Sequence, residues 1–497
     1  MLLDDDSRYH ALTARDPRFD GLFFVAVTTT GIYCRPICPA RTPGRARCQF
    51  YRLAAEAESQ GFRPCLRCRP ELAPGGAPSD ARSRLTSAAL ARIQAGELDE
   101  SDVDAFAGEL GVTARHLRRT LVAELGVTPV ALAQTRRLLL AKQLLCETQL
   151  RAVDVAFASG FGSVRRFNAL FRARYGLEPT AQRRSGVVQT AGRLVLHLGY
   201  RPPLDWRALL DFLEARAIPG VEHVARAEGT YARTVCLGEA RGFVIAGPPT
   251  ASRSARLERH LLRVEVSLSL LPALQRLLAK LRALFDLDAE PMRIAERLGG
   301  KRLTGTDVTL SAGLRVPGAF DGFELVVRAI LGQGITVRGA TTLAGRLAAQ
   351  YGEPLATPVD GLTHASPTSA RLRQVNPTAL QKLGVLPARA RALVAVAEAH
   401  HAGALSLRPG DAPEVLTAQL CTLDGIGPWT ASYVAMRALH DGDAFPTGDL
   451  VLQKTLGTRS QRALEERSRA WSPWRAYAAM HVWRSAARAE EKERQPR

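Results

Sequence analysis

Four cysteines in the first 70 residues constrain the fold of this chain more than any other feature of its sequence. Cys34 and Cys38 form a C-x3-C pair, and Cys65 and Cys68 form a C-x2-C pair that follows 26 residues later. Two cysteine pairs at such a spacing are typical of a tetrahedral zinc site, in which four thiolates hold a short segment together. The sequence therefore predicts a Zn²⁺-binding module whose ligands are Cys34, Cys38, Cys65 and Cys68.

The other four cysteines stand alone, at positions 48, 146, 236 and 421. Eight cysteines in 497 residues are too few for a disulfide scaffold, so we expect a reduced, cytoplasmic chain in which lone cysteines act as small buried side chains. The sequence contains no run of about 18 apolar residues, and its first residues, MLLDDDSRYH, lack the apolar segment of a signal peptide. We therefore expect no membrane partner.

The charge balance indicates a polyanionic partner. The chain carries 67 Lys and Arg residues against 48 Asp and Glu residues, a formal net charge of +19. Residues 1–186 hold 27 basic and 19 acidic side chains, so the excess is shared between both halves of the chain. Nucleic acid is the simplest partner for such a protein.

The cysteine-rich segments ARDPRFDGLFFVAVTTTGIYCRPICPARTP and GFRPCLRCRP resemble the metal-binding domain of the Ada family of alkylation sensors. The resemblance implies that Cys34, besides binding zinc, accepts a methyl group irreversibly from a DNA phosphotriester. A zinc-bound thiolate stays deprotonated and nucleophilic at neutral pH. Methylation removes one negative charge from the site, which lowers repulsion from DNA phosphates and is expected to raise the affinity for DNA.

Residues 82–184 have helical periodicity and contain two similar helix-turn-helix patterns. Gly111 and Gly160 mark the two turns, and Thr113 and Ser163 are predicted to cap the helices that follow. The polar residues that we expect to contact DNA from these helices are Arg115, Arg118, Arg119, Arg165, Arg166 and Asn168.

The second of these patterns, VAFASGFGSVRRFNALFRARYGLEPT, resembles the AraC-type DNA-binding domain. The resemblance implies two recognition helices in successive major grooves of double-stranded DNA. It further implies a transcription activator that works with RNA polymerase in the nucleoid.

The second half of the chain begins with mixed sequence and continues with helical periodicity from about residue 317. Its predicted strands are Leu194–Leu198, Tyr231–Leu237, Gly242–Ala246 and Leu262–Val266, and a helix is predicted over Trp206–Arg216. The segment LDGIGPWT contains a Gly-x-Gly turn, whose exposed amides before a helix can bind a DNA phosphate. Asp449 follows about 20 residues later, in a region where the scarce aromatic residues are concentrated.

These segments resemble the helix-hairpin-helix superfamily, and specifically the AlkA type of 3-methyladenine DNA glycosylase II. The resemblance lies in DWRALLDFLEARAIPGVE, FELVVRAILGQGITV, LDGIGPWTASYVAMR, GDLVLQK and SPWRAYAAMHVW. It implies that Asp449 is catalytic, that Trp429, Tyr433 and Trp483 bind the base, and that Gly425 and Gly427 contact DNA. Gly334 stands where the family often has its intercalating side chain, so Ile335 or Gln333 is the candidate wedge. Trp429 replaces the lysine of bifunctional relatives, which implies a monofunctional N-glycosylase.

Charge explains why such a site needs no strong general acid. An N-alkylated purine is cationic and leaves readily, while the sugar acquires oxocarbenium character that a fixed carboxylate stabilises. The base must leave the stack to be reached, and electron-rich aromatic rings attract a cationic base.

The expected fold is multidomain and mainly α, with α+β parts. We expect an Ada-type zinc module at 1–76, an AraC-type double helix-turn-helix domain at 80–186, a TBP-like α+β domain at 190–305, and an all-α helix-hairpin-helix glycosylase domain at 306–497. The expected function is an alkylation response: methyl acceptance from DNA phosphotriesters, activation of transcription, and excision of alkylated purines such as 3-methyladenine. The alternative is a transcription regulator whose glycosylase half only binds damaged DNA.

Overall fold

The computed structural model describes residues 3–75, 83–183, 192–249, 260–408 and 410–494. They form two compact units, the first made of Met1–Pro202 with Val235–Arg282 and the second of Pro203–Thr234 with Ala283–Arg497. The predicted boundaries at 76–80 and 186–190 fall on segments that lie outside the described residues. The four-domain division therefore stays a prediction.

Helices dominate both units. The strands are β1 (Phe24–Val27), β2 (Ile32–Cys34), β3 (Cys48–Tyr51), β4 (Arg63–Pro64), β5 (Arg193–Gly199), β6 (Glu222–Ala225), β7 (Thr230–Leu237), β8 (Ala240–Gly247) and β9 (Leu261–Ser267). The helices are α1 (Asp5–Ala14), α2 (Ala54–Ser59), α3 (Arg84–Ala95), α4 (Glu97–Glu100), α5 (Val103–Glu109), α6 (Ala114–Leu125), α7 (Pro129–Glu147), α8 (Ala152–Ala158), α9 (Val164–Tyr175), α10 (Trp206–Glu214), α11 (Leu274–Leu284), α12 (Pro291–Leu298), α13 (Gly322–Leu331), α14 (Val337–Tyr351), α15 (Ser369–Leu372), α16 (Pro377–Lys382), α17 (Pro387–His401), α18 (Pro413–Cys421), α19 (Pro428–Ala438), α20 (Leu450–Thr455), α21 (Gln461–Ser468) and α22 (Arg475–Arg494).

A small sheet in the first unit brings the two cysteine pairs together. Its strand order is β3-β1-β2-β4, with β1 antiparallel to β2 and β3, and β2 parallel to β4. Tyr33 and Pro64 are register partners, so the residues that follow them, Cys34 and Cys65, leave neighbouring strands at the same edge. The sheet thereby closes the 26-residue gap between the cysteine pairs.

The two helix-turn-helix patterns fold as predicted. Helices α5 and α6 form the first, α8 and α9 form the second, and the long helix α7 connects them. The hydroxyl of Thr113 accepts a hydrogen bond from the backbone N–H of His116, and that of Ser163 accepts one from Arg166. Both predicted caps are therefore confirmed.

All four predicted strands of the mixed region are confirmed, in a five-stranded sheet of order β5-β9-β8-β7-β6. Strands β5 and β9 pair antiparallel along their whole length, with Leu196 opposite Val264. Alternate residues of β5 are buried, which is the period-two pattern that predicted the strand. The division between the two compact units falls within β7.

The second unit is helical from α12 onward and surrounds one large apolar core. Helix α19 packs against α13 and α18 within this core. Among the described residues, no helix is long and apolar enough to cross a membrane. Of the four lone cysteines, Cys48 and Cys146 are buried as expected, Cys236 is half-buried, and Cys421 lies exposed at the end of α18.

Candidate metal centre, DNA-contacting helices and candidate active site

The four predicted zinc ligands converge on one point. The Sγ atoms of Cys34, Cys38, Cys65 and Cys68 all lie within 4.8 Å of one another. A tetrahedral Zn²⁺ with sulfur at about 2.3 Å requires sulfur–sulfur distances of roughly 3.8 Å, so the donor set fits this metal. Taken as a whole residue, Cys34 is half-buried, whereas the other three cysteines are buried.

Backbone and side-chain contacts hold this cysteine cluster in place. The backbone N–H of Arg35 donates to Sγ of Cys68 at 3.3 Å, and its guanidinium donates to the carbonyl oxygen of the same cysteine at 3.0 Å. The guanidinium also pairs with Asp20, with Nε 2.9 Å from Oδ1, and both side chains are almost fully buried. Arg201, which follows β5, donates in turn to the carbonyl oxygen of Asp20 at 3.2 Å. The residue next to Cys34 is therefore fixed from two sides.

A buried ion pair joins the loop that follows Cys68 to the long helix α7. Nζ of Lys142 lies 2.5 Å from Glu71 and 3.3 Å from the carbonyl oxygen of Cys65, and both charged side chains are 1% exposed. Glu147, at the end of α7, accepts from Arg69 at 2.6 Å and from the backbone N–H of His197 at 3.1 Å. The helix α7 between the two helix-turn-helix units is thus bonded to the loop that carries Cys65 and Cys68.

The predicted DNA-contacting arginines are available to a ligand. Arg115, Arg118 and Arg119 on α6, and Arg165 and Arg166 on α9, are exposed and make no ion pair with any described residue. Asn168 is half-buried. Leu117 and Phe167 occupy the opposite faces of these helices and are fully buried. Each helix therefore presents its cationic face outward.

Asp449 is the N-cap of α20 and is held by three hydrogen-bond donors. Its Oδ1 accepts from the backbone N–H of Leu452 at 2.8 Å and from Nε1 of Trp483 at 3.2 Å. Its Oδ2 accepts from Nε1 of Trp429 at 3.0 Å. Asp449 as a residue is 9% exposed, so three donors orient the carboxylate of a nearly buried side chain.

The same tryptophans belong to an aromatic group beside this carboxylate. The rings of Trp429 and Tyr433 are stacked, with centroids 5.3 Å apart and planes 6° from parallel. Trp483 lies edge-on to Tyr433, with centroids 6.4 Å apart. All three rings are half-buried, so each keeps some surface that a flipped base could contact.

The Gly-x-Gly turn lies between α18 and α19 and is bonded to the loop that follows α13. Gly425 has a φ of +87°, which a side chain would strain, and Gly427 is the N-cap of α19. Nε2 of Gln333 donates to the carbonyl oxygen of Gly425 at 2.8 Å and contacts Oγ1 of Thr430 at 3.3 Å. Ile335, by contrast, is 39% exposed. Of the two candidate wedges, Gln333 is engaged within the protein and Ile335 is exposed.

Sequence reasoning missed a group of charged residues behind the aromatic rings. Arg437 donates from Nη1 to the hydroxyl oxygen of Tyr433 at 2.7 Å and is 4% exposed. Phe212 lies against two cations, with Cζ of Arg216 at 3.9 Å and Cζ of Arg437 at 5.0 Å from its ring centroid. The available signal was that Phe212, Arg216 and Arg437 lie in segments that carry the glycosylase resemblance.

Three parts of the chain match known family profiles. Residues 7–71 match the metal binding domain of Ada, residues 106–185 match a helix-turn-helix domain, and residues 195–321 match the AlkA N-terminal domain. These matches follow the order that the sequence motifs predicted.

Full-length and partial relatives agree with these profiles. A probable bifunctional transcriptional activator/DNA repair enzyme AlkA of Mycobacterium tuberculosis is 39% identical over 97% of this chain and 96% of that protein. DNA-3-methyladenine glycosylase 2 of Escherichia coli is 38% identical over 58% of this chain and 95% of that enzyme. The Escherichia coli bifunctional transcriptional activator/DNA repair enzyme Ada is 42% identical over 27% of this chain and 37% of its own length.

Proposed function

This chain belongs to the family of bifunctional transcriptional activator/DNA repair enzymes, and from that premise we propose how its residues divide the activities. The protein is an alkylation-damage response protein. It accepts methyl groups from DNA phosphotriesters, activates transcription, and excises alkylated purines such as 3-methyladenine. Its two chemical reactions use sites in different parts of the chain.

Cys34 is the methyl acceptor. Cys34, Cys38, Cys65 and Cys68 would hold a Zn²⁺ ion, which would keep the sulfur of Cys34 deprotonated at neutral pH. That sulfur attacks the methyl carbon of a phosphotriester, the carbon–oxygen bond breaks, and the electron pair stays with the phosphate oxygen. The products are a thioether on Cys34 and an ordinary phosphodiester, so no catalytic turnover follows. Cys34 is half-buried while the other three cysteines are buried, which supports this assignment.

The activator function depends on the exposed arginines of helices α6 and α9, which we propose to contact DNA. Methylation removes one negative charge from the cysteine cluster, and the exposed arginines of α6 and α9 then bind DNA against less repulsion. The bonds of Lys142 to Glu71 and to the carbonyl of Cys65 support a rigid relation between the cluster and helix α7. Equal affinity for DNA before and after methylation, across salt concentrations, would reject this switch.

Asp449 is the catalytic carboxylate of the glycosylase. As the C1′–N bond breaks, positive charge develops on the sugar, and the fixed carboxylate of Asp449, which forms no ion pair with any described residue, stabilises that charge. In this proposal Asp449 also orients the water that attacks C1′. Trp429, Tyr433 and Trp483 contact the flipped base, Gly425 and Gly427 present backbone amides to a phosphate, and Ile335 enters the stack as the wedge.

One observation carries the glycosylase assignment: two indole N–H groups and one backbone N–H converge on the carboxylate of Asp449. A base-release assay on methylated duplex DNA tests it, with wild type compared with Asp449→Asn. We expect release of 3-methyladenine by the wild type and a loss of at least a hundredfold in the variant. Unchanged release in the variant would reject the mechanism.

The alternative, a regulator whose glycosylase half only binds damaged DNA, makes the opposite prediction for the wild type. In that case alkylated duplexes bind tightly but no free base appears. The combination of Asp449, Trp429 and the Gly-x-Gly turn in one helical unit favours the enzyme.

RNA polymerase is the protein partner through which the bound activator raises transcription, and the cytoplasmic nucleoid is its location. The helix-turn-helix match supports promoter binding as the route to this partner. Run-off transcription with purified polymerase tests it: methylated protein is expected to raise the transcript yield, and the unmethylated protein is the control.

A further inference from the structure

Two arginines behind the aromatic rings, the buried Arg437 and the half-buried Arg216, have no acidic partner among the described residues. They belong to a group of four arginines and two glutamates, namely Arg216, Arg233, Arg328, Arg437, Glu222 and Glu324. Arg233 pairs with Glu324 at 2.7 Å, and Arg328 pairs with Glu222 at 2.8 Å. These two ion pairs use both glutamates, so Arg216 and Arg437 remain without a carboxylate.

The two remaining guanidiniums are bound by neutral acceptors. Arg437 donates to the carbonyl oxygens of Pro317 and Gly318 at 2.8 and 2.9 Å, and to the hydroxyl oxygen of Tyr433 at 2.7 Å. Arg216 donates to the carbonyl oxygen of Phe212 at 3.4 Å and covers the ring of the same residue. Burying cations without a counter-charge is unfavourable for folding. The positive charge at this place therefore does not stabilise the fold, and we look for its role in the function of the protein.

The position of this positive charge relative to Asp449 suggests the explanation. Cζ of Arg437 lies 5.5 Å from the ring centroid of Tyr433, Tyr433 stacks on Trp429, and Trp429 donates to Asp449. One aromatic group thus has a cation at one end and an anion at the other. Burial raises the pKa of Tyr433, but the charges of Arg437 and Arg216 outweigh it and leave that pKa below its ordinary value.

We propose that Arg216 and Arg437 are electrostatic positioning residues for base excision, which act on the leaving purine through Phe212 and Tyr433. The proposal rests on the proposed function, in which Tyr433 contacts the flipped base. When the C1′–N bond breaks, its electron pair stays on the base. A cationic alkylpurine becomes neutral, the sugar becomes a cation, and attacking water adds to C1′ and releases its proton to solvent.

The base gains one unit of negative charge in this step, whichever lesion is excised. A positive potential on its side of the pocket and the carboxylate of Asp449 on the sugar side both favour this redistribution. Before the step, the same positive potential opposes a cationic base. The arginines therefore stabilise the transition state relative to the bound substrate, and removing their charge is expected to slow excision without weakening binding.

Single-turnover excision of 7-methylguanine from a duplex tests the proposal, with the full chain in excess over DNA. Arg437→Gln and Arg216→Gln are expected to lower the maximal rate at least tenfold, while the half-saturating protein concentration stays unchanged or falls. Arg437→Lys keeps the charge and is expected to recover at least half of the lost rate. Arg462→Gln, which removes a surface cation that is 90% exposed, is the matched control and is expected to behave as the wild type.

Several outcomes would overturn the proposal. These are an unchanged rate in both glutamine variants, a lysine variant as slow as Arg437→Gln, or a half-saturating concentration that rises by the same factor as the rate falls. Arg216→Gln leaves the hydrogen bonds of Arg437 to Pro317 and Gly318 intact. If Arg437→Gln does not fold, the excision rate of Arg216→Gln alone tests the proposal. A wild type that releases no base would instead reject the proposed function itself, so the two failures are distinguishable.

Discussion

The indole nitrogen of Trp429 donates to Oδ2 of Asp449 at 3.0 Å while its ring lies stacked against Tyr433. One side chain therefore orients the carboxylate and also forms a wall of the proposed base pocket. A substitution can separate these roles, because Trp429→Phe keeps an aromatic ring in place and removes only the donor.

We expect Trp429→Phe to lower the single-turnover excision rate about tenfold, since a hydrogen bond to a charged acceptor contributes about 1.5–3 kcal/mol and two other donors remain on Asp449. The half-saturating protein concentration should change less than threefold, because the stacking surface is retained. Trp483→Phe removes the other indole donor and should have a similar effect. If the half-saturating protein concentration rises and the maximal rate stays unchanged, the result would contradict the role of these indoles in orienting Asp449.

Patterns carried by neighbouring residues were predictable from the sequence. The two cysteine pairs, the caps at Thr113 and Ser163, and the alternation of β5 each lie within one turn or one strand, and local geometry dictates them. The Gly-x-Gly turn before α19 was found for the same reason.

Contacts between distant buried charges were not predictable. Arg201 and Asp20 are 181 residues apart in sequence, yet a hydrogen bond joins them. Arg216 lies in the turn after α10 and Arg437 lies in α19, and the two residues come close only in the packed unit. Contacts of this kind follow no sequence periodicity, because tertiary packing determines which residues meet. The cations behind Tyr433 could therefore not be predicted from the sequence.

Replacing the acceptor cysteine should abolish methyl transfer while leaving the rest of the chain folded. Cys34→Ser is expected to take up no methyl group from methylphosphotriester DNA and to bind zinc more weakly, because serine is a poor ligand for this metal. Cys48→Ser is the matched control: Cys48 is buried in the same module but lies outside the four-sulfur cluster. Labelled methyl transfer and zinc content measure both effects, and methylation of Cys34→Ser would contradict the assignment.

Neutralising one outward arginine should change the salt dependence of DNA binding. Arg118 is exposed on α6, and if it neutralises one phosphate, Arg118→Gln should reduce the slope of log K against log salt concentration by about 0.9. Arg172→Gln is the control, because Arg172, on the second cationic helix α9, already pairs with Glu178 at 2.5 Å. Fluorescence anisotropy with a labelled duplex over a range of salt concentrations gives both slopes. Equal slopes for Arg118→Gln and the wild type would place Arg118 away from the DNA backbone.

His481 should make the second unit less stable as the pH falls. Burial, together with the charge of Arg484, lowers the pKa of His481 to about 4. The unfolded state therefore binds more protons than the native state below about pH 6.5, and stability is lost as the pH falls from there towards 4. The loss amounts to roughly 3 kcal/mol by linkage. His481→Asn should lack this loss, so denaturant unfolding at pH 7 and pH 4.5 should show the variant gaining stability relative to the wild type at the lower pH.

Arg201 should stabilise the zinc module although it lies far from it in sequence. Its guanidinium is 1% exposed and donates to the carbonyl oxygens of Asp20, Gly21 and Gly75. Arg201→Met fills most of the volume but leaves those buried acceptors without donors, at a cost of about 3 kcal/mol. Arg193→Met is the control, because that arginine belongs to the same strand region, is 24% exposed and forms a surface ion pair with Glu265 whose loss costs about 1 kcal/mol or less. We expect Arg201→Met to release zinc faster to a chelator and to unfold at lower temperature than Arg193→Met, and equal zinc release from the two variants would show that the module is held without this contact.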